Sequence, residues 1–298
     1  MKKLLTMFLC FVVGIGSINA EALYTSGTFS NGGTWKINTN GVLIINASEV
    51  PTFIPKYHLQ DRGSTAPWQA YDGVIKEIWI SGANKIGRGA FLELHNAQRV
   101  SIAGVTSVEI MKGAFKDCSS LTSVDGFQYM TKIGERAFEG CPLKYVVLPK
   151  VTSLGKDVFG SNDESNASAD VGYAKYTVML TTSSAPTFED IDFLLCDRAA
   201  RLIVPASLKS QVDALWNAEF HKNGVKQHQM QEICVGGLLN QNNPRNFWML
   251  QDDGTLWVVG AMPDFANASD APWYSLRNQV KSVVIEGASS ISNNAFRG

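Results

Sequence analysis

The sequence predicts a mainly β solenoid with minor α content. We expect an array of short parallel strands with a β-hairpin cap at its N-terminal end and a capping helix at its C-terminal end. Two internal repetitions predict this fold: a short motif that recurs about every 23 residues, and a longer module that occurs twice. The second copy of the module marks the start of a second array.

The short motif ends in the dipeptide Ala-Phe. Clear copies are Ile86–Phe91, Ile110–Phe115 and Ile133–Phe138, and looser copies are Leu154–Phe159 and Ile291–Phe296. Stacked repeats place equivalent side chains above one another. We therefore expect the phenylalanines to form a column inside the coil.

A second element keeps the same period and has the pattern apolar-x-x-apolar-x-apolar. Its alternation and its β-branched residues predict one short strand in each repeat. A unit of this length cannot bury its own apolar face, but stacked units can because each covers the next, so the strands form a parallel ladder. The runs begin at Ile75, Ala97, Leu121, Leu143, Lys175, Ala199 and Val280.

Three cysteines hold one position in the repeat. Cys118 and Cys141 lie three residues after Phe115 and Phe138, and Cys196 stands in the same relation to a later phenylalanine. Four of the five cysteines remain if residues 1–20 are removed as a signal peptide, and an even number in an exported chain suggests disulfides. The shared register nevertheless favours an inward column of small, unreactive thiols. No C-x-x-C pair is present, so neither a zinc site nor a redox motif is predicted.

The longer module is a hairpin followed by an Ala-Pro-Trp segment. In the first copy the turn is Asn40-Gly41 and the segment ends at Trp68, and in the second copy they are Asp253-Gly254 and Trp273. Asn-Gly and Asp-Gly are the preferred sequences of two-residue hairpin turns. Because an uncovered solenoid end leaves an apolar face and an open strand edge, we interpret the hairpin as a cap.

The first array ends in a stretch with helical periodicity. Residues 207–220 have apolar side chains on one face, so we expect a helix that packs Leu215 and Trp216 onto the last coil. The chain is then divided into a signal peptide (1–20), a hairpin cap with the first strand (21–80), a repeat array with its closing helix (81–222), a linker (223–246), and a second cap module with an incomplete repeat (247–298).

The repeat, Ile-x-x-x-Ala-Phe followed by Cys and then Leu-x-x-Val, is seen at residues 133–146 and resembles the BspA-like leucine-rich repeat family. The resemblance extends over about residues 31–220 and 247–298. It implies a leucine-rich repeat array in a bacterial surface or secreted protein. The partner that it implies is another protein, such as a host or matrix protein. Gly298 matches Gly140 inside a repeat, so we also expect the chain to be a fragment of something longer.

The N-terminus has the features of a secretory signal peptide. Lys2 and Lys3 precede an apolar stretch at 4–16, and small residues follow. The stretch is shorter than the roughly 18 residues that a membrane span requires. We therefore expect an exported protein, secreted or at the cell surface, with no membrane span in the mature chain.

Charge and motifs argue against several functions. The chain has 26 basic and 27 acidic residues, so no basic surface for nucleic acid is predicted. It has no H-E-x-x-H, G-x-S-x-G or P-loop motif, and we expect no enzyme, no catalytic residues, no cofactor and no metal site. Carboxylates in residues 161–171 leave calcium binding open, but the ligand spacing favours a solvated loop.

Side chains between the apolar positions of each strand should point outward. Val147, Met179 and Ile203 form an apolar group on consecutive strands, either a contact site or a surface covered by the linker or the helix. The candidate protein-binding face consists of Trp79, Arg99, Tyr145, Val147, Met179, Arg201 and Ile203.

The sequence thus predicts a non-enzymatic binding scaffold for protein–protein recognition or adhesion. One alternative is a carbohydrate-binding component of an envelope complex, with Trp68, Trp79 or Trp257 as a stacking platform for a glycan. Another alternative is a structural unit that assembles head to tail through its exposed ends.

Overall fold

The computed structural model describes residues 23–54, 64–159, 176–188, 200–223, 232–240, 243 and 245–297. These residues form mostly β-strands in three sheets, with one α-helix among them. The predicted signal peptide, the loop at 161–171 and Cys196 lie outside the described residues. No helix within the described part of the chain is long and apolar enough to cross a membrane.

The first sheet combines a hairpin with the start of the parallel ladder. Strands β1, β2 and β3 pair antiparallel, and β4, β6 and β8 follow β3 in parallel. The β2–β3 turn is at Asn40-Gly41, as the sequence predicts, and Gly41 has φ of +81°, which disfavours residues with a Cβ. The strand bounds are β1 Leu23–Thr28, β2 Thr34–Asn38, β3 Val42–Asn46, β4 Glu77–Ser81, β6 Arg99–Ala103 and β8 Ser123–Asp125.

The second sheet is parallel and separate from the first. It contains the residues that open four of the motifs, Ile86, Ile110, Ile133 and Leu154, which the sequence pattern does not identify as strand residues. In sheet order the strands are β13 Thr187–Phe188, β11 Ser153–Leu154, β9 Met130–Ile133, β7 Val108–Ile110 and β5 Lys85–Ile86.

An aromatic column runs through the core of the repeats. Trp68 stacks on Phe91, with ring centroids 5.4 Å apart and planes 17° from parallel. Phe115 and Phe138 continue the column, 5.1 Å apart with planes within 3° of parallel, and Phe159 ends it. The predicted phenylalanine column is therefore present, and it begins with the tryptophan of the first module.

The third sheet joins the array to the second module. Its order is β10, β12, β14, β15, β16, β17, β18, in which β16 is antiparallel to both of its neighbours and the remaining pairs are parallel. The bounds are β10 Tyr145–Leu148, β12 Tyr176–Leu180, β14 Ala200–Val204, β15 Glu232–Leu238, β16 Phe247–Leu250, β17 Thr255–Val259 and β18 Ser282–Glu286.

Strand β15 corrects the expectation of a linker at 223–246. After Glu232 the strand consists of apolar residues and glycines, including Ile233 and Val235, but it stands between polar stretches that dominate the composition of the segment. Their backbone groups pair in parallel with β14 on one side and antiparallel with β16 on the other. These seven residues are therefore part of a continuous sheet.

The helix α1 (Ala206–Asn223) follows β14 directly. Leu208 and Val212 are buried in the core of the array, as expected, whereas Leu215 is exposed. The expectation that Leu215 packs onto the last coil is wrong. Because β15 already covers the strand edge of β14, the array does not need this side chain to close it.

The two modules match in their contacts. The indole Nε1 of Trp68 donates to the carbonyl oxygen of Ala90 at 2.8 Å, and Nε1 of Trp273 donates to that of Ala295 at 2.9 Å. Trp273 also stacks on Phe296, with centroids 5.5 Å apart. The sequence duplication is therefore also a structural duplication.

Candidate protein-binding surface

The seven residues predicted to form a binding face lie on two different sheets. Trp79 and Arg99 are on β4 and β6 of the first sheet. The other five are on β10, β12 and β14 of the third sheet, in direct cross-strand register. The structure therefore brings five of the residues together on the third sheet and places the other two on the first sheet.

The apolar residues of the third sheet are covered. Met179 and Ile203 are buried and Val147 is half-buried, so the expectation that this group is an exposed contact surface is wrong. Together with Cys234, Phe247 and Met249 they form a small separate core. Of the two interpretations that the sequence leaves open, the covered surface is the one in the structure.

Curvature of the third sheet explains how the second module covers this group. Strands β10 and β16 are four positions apart, which is about 19 Å in a flat sheet. The rings of Tyr145 and Phe247 on these strands are nevertheless 5.9 Å apart. The sheet therefore curls until the outward sides of its strands meet.

A glycine permits this curvature in β15. A Cβ on Gly236 would lie 2.6 Å from Cγ2 of Ile203 and would also collide with the backbone of Trp248. Glycine in a strand often marks such a close approach. The tight contact between β14, β15 and β16 therefore depends on the absence of a side chain at this position.

Two members of the third-sheet group remain partly accessible. Tyr145 is exposed at the rim, and Arg201 is half-buried two strands away in the same row, beside Thr177. The Nε of Arg201 is buried and has no hydrogen-bond partner among the described residues. This part of the predicted face consists of a tyrosine and a guanidinium around a closed apolar core.

Trp79 lies near the middle of the outward side of the first sheet, and 37% of its surface is exposed. Its cross-strand neighbours in the same row are Ile44 on β3 and Ser101 on β6. The indole Nε1 donates to Oε2 of Glu77, at 2.9 Å, which fixes the orientation of the ring. A large aromatic side chain is thus held in place on an accessible face.

Charged groups surround this tryptophan. Nε of Arg99 lies 3.0 Å from Oδ2 of Asp125, and both side chains are exposed. Arg99 also stands directly opposite Glu77 in the register of β4 and β6. An exposed pair of this kind contributes about 0–1 kcal/mol to stability, so these groups remain available to a partner at little cost.

The alternating strand pattern of the sequence already predicts that Glu77 and Asp125 point outward, on the same side of the sheet as Trp79. Lys36 and Ile44 also line the face, and they come from the hairpin, for which the sequence predicts only the role of a cap. Their positions follow from the pairing of β2 with β3 and of β3 with β4. Because β3 has four consecutive apolar residues, Val42 to Ile45, its sequence does not identify its outward side, and the pairing with β4 does.

The cysteines take structural positions. The Cys118 thiol is buried and donates to the carbonyl oxygen of Phe91 at 3.1 Å, and the half-buried Cys141 makes the equivalent contact with Phe115 at 3.0 Å. Burial, followed by the neighbouring Cys118 thiol, raises the pKa of the Cys141 thiol well above its ordinary value. The Cys141 thiol is therefore a poor nucleophile, and the Cys118 thiol is shielded from solvent by its burial.

The described residues contain little chemistry of other kinds. No group of three or more histidine, cysteine, aspartate or glutamate side chains within them has the geometry to hold a metal ion. Nδ1 of His95 lies 3.0 Å from Oδ2 of Asp72, and the pair is at the surface. The best candidate for a binding site among them is Trp79, held by Glu77, with Arg99 and Asp125 nearby.

Two comparisons with known proteins gave matches. The model of the BspA type leucine-rich repeat region matches residues 69–166 in six copies. A solved leucine-rich repeat protein from Eubacterium ventriosum is 20% identical, with a TM-score of 0.42, and the match covers 82% of this chain and 51% of that one. This chain thus spans about half the length of that protein. No curated protein matched. Over residues 69–166 the chain is therefore similar to the BspA-type leucine-rich repeat family.

Proposed function

We propose that this protein is an exported, non-enzymatic binding scaffold, secreted or held at the cell surface, that recognises another protein through the outward face of its first sheet. The partner class that the resemblance suggests is a host or matrix protein. Leucine-rich repeat proteins generally bind proteins, and BspA-type members are typically surface or secreted proteins. The N-terminal sequence supports export.

We include in the proposal that the repeats form a solenoid and that both hairpins act as caps. β2 and β3 precede the parallel strand β4 in the first module, and β16 and β17 precede β18 in the same way in the second. A hairpin in this position covers one side of the first parallel strand. It also extends the binding face by adding Lys36 and Ile44 to it.

Trp79 is the observation that carries the proposal. Tryptophan and arginine are the side chains most enriched among residues that dominate protein–protein affinity. Here an indole is held by Glu77 on a rigid sheet, with Arg99 and Asp125 beside it. A prearranged side chain loses little conformational freedom on binding, which favours affinity.

The carbohydrate alternative now depends on the same residue. Trp68 is fully buried in the aromatic column and cannot stack on a glycan. Trp257 is half-buried, and its Nε1 donates to Gln251. Among the three tryptophans considered from the sequence, Trp79 alone presents an exposed ring.

Surface plasmon resonance of the secreted chain against a panel of purified extracellular-matrix proteins tests the proposal. The chain is compared with Trp79→Ser and with the matched control Ile54→Ser, which changes an exposed apolar side chain that belongs to none of the strands. We expect saturable binding to one panel member, weakened at least about tenfold by Trp79→Ser and unchanged by Ile54→Ser.

A glycan array of the same three proteins separates the two partner classes. Binding to a defined glycan that Trp79→Ser abolishes would replace the protein partner with a carbohydrate. If the unmodified chain, Trp79→Ser and Ile54→Ser bind the protein equally strongly, the partner does not bind at the face that contains Trp79. If no panel protein binds, a matrix partner is ruled out at the concentrations used.

A further inference from the structure

The indole of Trp79 has its N–H group occupied and its ring accessible. Nε1 donates to Oε2 of Glu77 at 2.9 Å, and 37% of the residue's surface is exposed. Because the N–H group is used within the protein, the ring offers a partner its π surface and no hydrogen-bond donor. The face of an aromatic ring is electrically negative and attracts a cation that lies over it, and tryptophan does so best.

Glu77 places a formal negative charge beside this ring. The carboxylate lies at the edge of the indole, because Glu77 precedes Trp79 by two residues on the same side of β4. A carboxylate has about four acceptor positions, so Oε2 can hold the indole N–H while Oε1 accepts from a partner. A cation over the ring therefore has a carboxylate within reach of its N–H groups.

The cation that faces Glu77 across the sheet is directed elsewhere. Arg99 stands opposite Glu77 in the register of β4 and β6, but its Nε lies 3.0 Å from Oδ2 of Asp125. Asp125 is on β8, on the far side of β6, so this guanidinium is turned away from β4. Lys36, a second cation of the face, is on β2, two strands from Trp79. The charge next to the indole is therefore that of Glu77.

The neighbouring side chains leave space on one side of Trp79. Its cross-strand neighbour on β3 is Ile44, whereas its neighbour on β6 is the small residue Ser101. A serine beside a tryptophan creates a step in the height of the surface. A flat group from a partner can fill this step while it contacts the ring.

We propose that Trp79 and Glu77 form a binding site for an arginine side chain of the partner protein. The guanidinium lies over the indole and donates to the Glu77 carboxylate. A guanidinium is planar and has five N–H donors, so it can stack on an aromatic ring and pair with a carboxylate, which the compact ammonium of lysine does less well. The inference rests on the proposed function and specifies that the segment which the face recognises is basic.

A nuclear magnetic resonance titration of the chain with ¹⁵N-labelled tryptophan tests the proposal. The signal of the Trp79 indole N–H is identified by its loss in Trp79→Phe. The probes are capped pentapeptides, Gly-Ser-X-Ser-Gly, at about 0.1 to 20 mM. Position X is arginine, its uncharged analogue citrulline, lysine or glutamate, so that the four probes differ only in the side chain presented to the site.

Two variants isolate the contribution of the carboxylate. Glu77→Gln removes the charge and keeps an oxygen that can accept from the indole, so the orientation of the ring is preserved. Glu286→Gln removes the same charge from an exposed position of β18 and is the matched control. Circular dichroism checks folding. If Glu77→Gln does not fold, the comparison of arginine with citrulline on the unmodified chain tests the same dependence on charge.

We expect the arginine peptide to shift the Trp79 signal in a saturable manner. It should bind at least about threefold more tightly than the citrulline and glutamate peptides, and more tightly than the lysine peptide. Glu77→Gln should weaken the binding of the arginine peptide at least about threefold, and Glu286→Gln should leave it unchanged.

Several results would overturn the proposal. These are a Trp79 signal that no arginine concentration shifts, equal binding of the arginine and citrulline peptides, and equal binding by Glu77→Gln and the unmodified chain. Lysine binding as tight as arginine binding would overturn the assignment to a guanidinium. None of these results affects the loss of matrix-protein binding expected for Trp79→Ser, so failure of this inference is distinguishable from failure of the proposed function.

Discussion

Phe91 and Phe296 offer a matched pair of substitutions, because they are equivalent residues of the two modules in different surroundings. Phe91 is fully buried between Trp68 and Phe115, with centroid distances of 5.4 and 4.9 Å. Phe296 stacks on Trp273 at 5.5 Å and is 41% exposed. The same change to alanine therefore tests how much of the aromatic column's stability comes from burial.

The expected magnitudes follow from this difference. Removing a buried phenylalanine costs about 3–5 kcal/mol, because a cavity remains, so we expect about 4 kcal/mol for Phe91→Ala. Full burial of a phenylalanine is worth about 1.5–3 kcal/mol, and Phe296 has somewhat more than half of this. Its open side leaves no closed cavity, so we expect about 1–2 kcal/mol for Phe296→Ala.

Urea unfolding followed by tryptophan fluorescence measures both losses. Phe91→Leu serves as a control that keeps most of the apolar volume, and it should lose less than Phe91→Ala. Losses for the two alanine variants that agree within about 0.5 kcal/mol, or a larger loss at Phe296, would refute the reasoning. The aromatic column would then not be stabilised mainly by its burial.

Two further predictions concern the turns and the thiols. Gly254 has φ of +90° and a Cβ there would lie 2.7 Å from the carbonyl oxygen of Gln279, whereas Gly113 has φ of +60° and a Cβ there would come no closer than 3.8 Å, to Cβ of Lys116. In thermal unfolding we expect Gly254→Ala to cost about 2–3 kcal/mol and Gly113→Ala about 1 kcal/mol, and equal costs would contradict this assignment of strain. Cys118 and Cys141 should react with a thiol reagent far more slowly in the folded protein than in urea, and mass spectrometry can locate the label. Because the pKa of Cys141 is raised, its thiolate form stays scarce as the pH increases from 7 to 9, and labelling as fast as in the unfolded chain would be incompatible with the buried position.

Local features of the fold could be predicted from the sequence because each depends on neighbouring residues or on a fixed period. The phenylalanine column follows from the recurrence of Ala-Phe, and the hairpin turns follow from Asn40-Gly41 and Asp253-Gly254. The thiol positions of Cys118 and Cys141 follow from the same register. In these cases one repeat contains most of the information that its structure requires.

The candidate site was predicted less well, because exposure depends on residues that are distant in sequence. Alternation correctly placed Trp79 and Arg99 on the accessible side of their strands. The same rule placed Met179 and Ile203 outward, but the outward side there faces the second module and not solvent. Alternation specifies which way a side chain points from its sheet, and it does not specify what lies opposite.

The sequence by itself determined the repeat, its duplication and the residues that point into the core, since periodicity and turn chemistry are local properties. Only the tertiary structure decided that residues 232–238 form β15 and join the array to the second module in one sheet. It also decided that this sheet curls until Tyr145 meets Phe247, which leaves Trp79 as the exposed aromatic of the proposed binding face. The physical reason is that strand partners and sheet curvature arise from backbone pairing and close packing between segments far apart in the chain, as at Gly236, and no local pattern records those contacts.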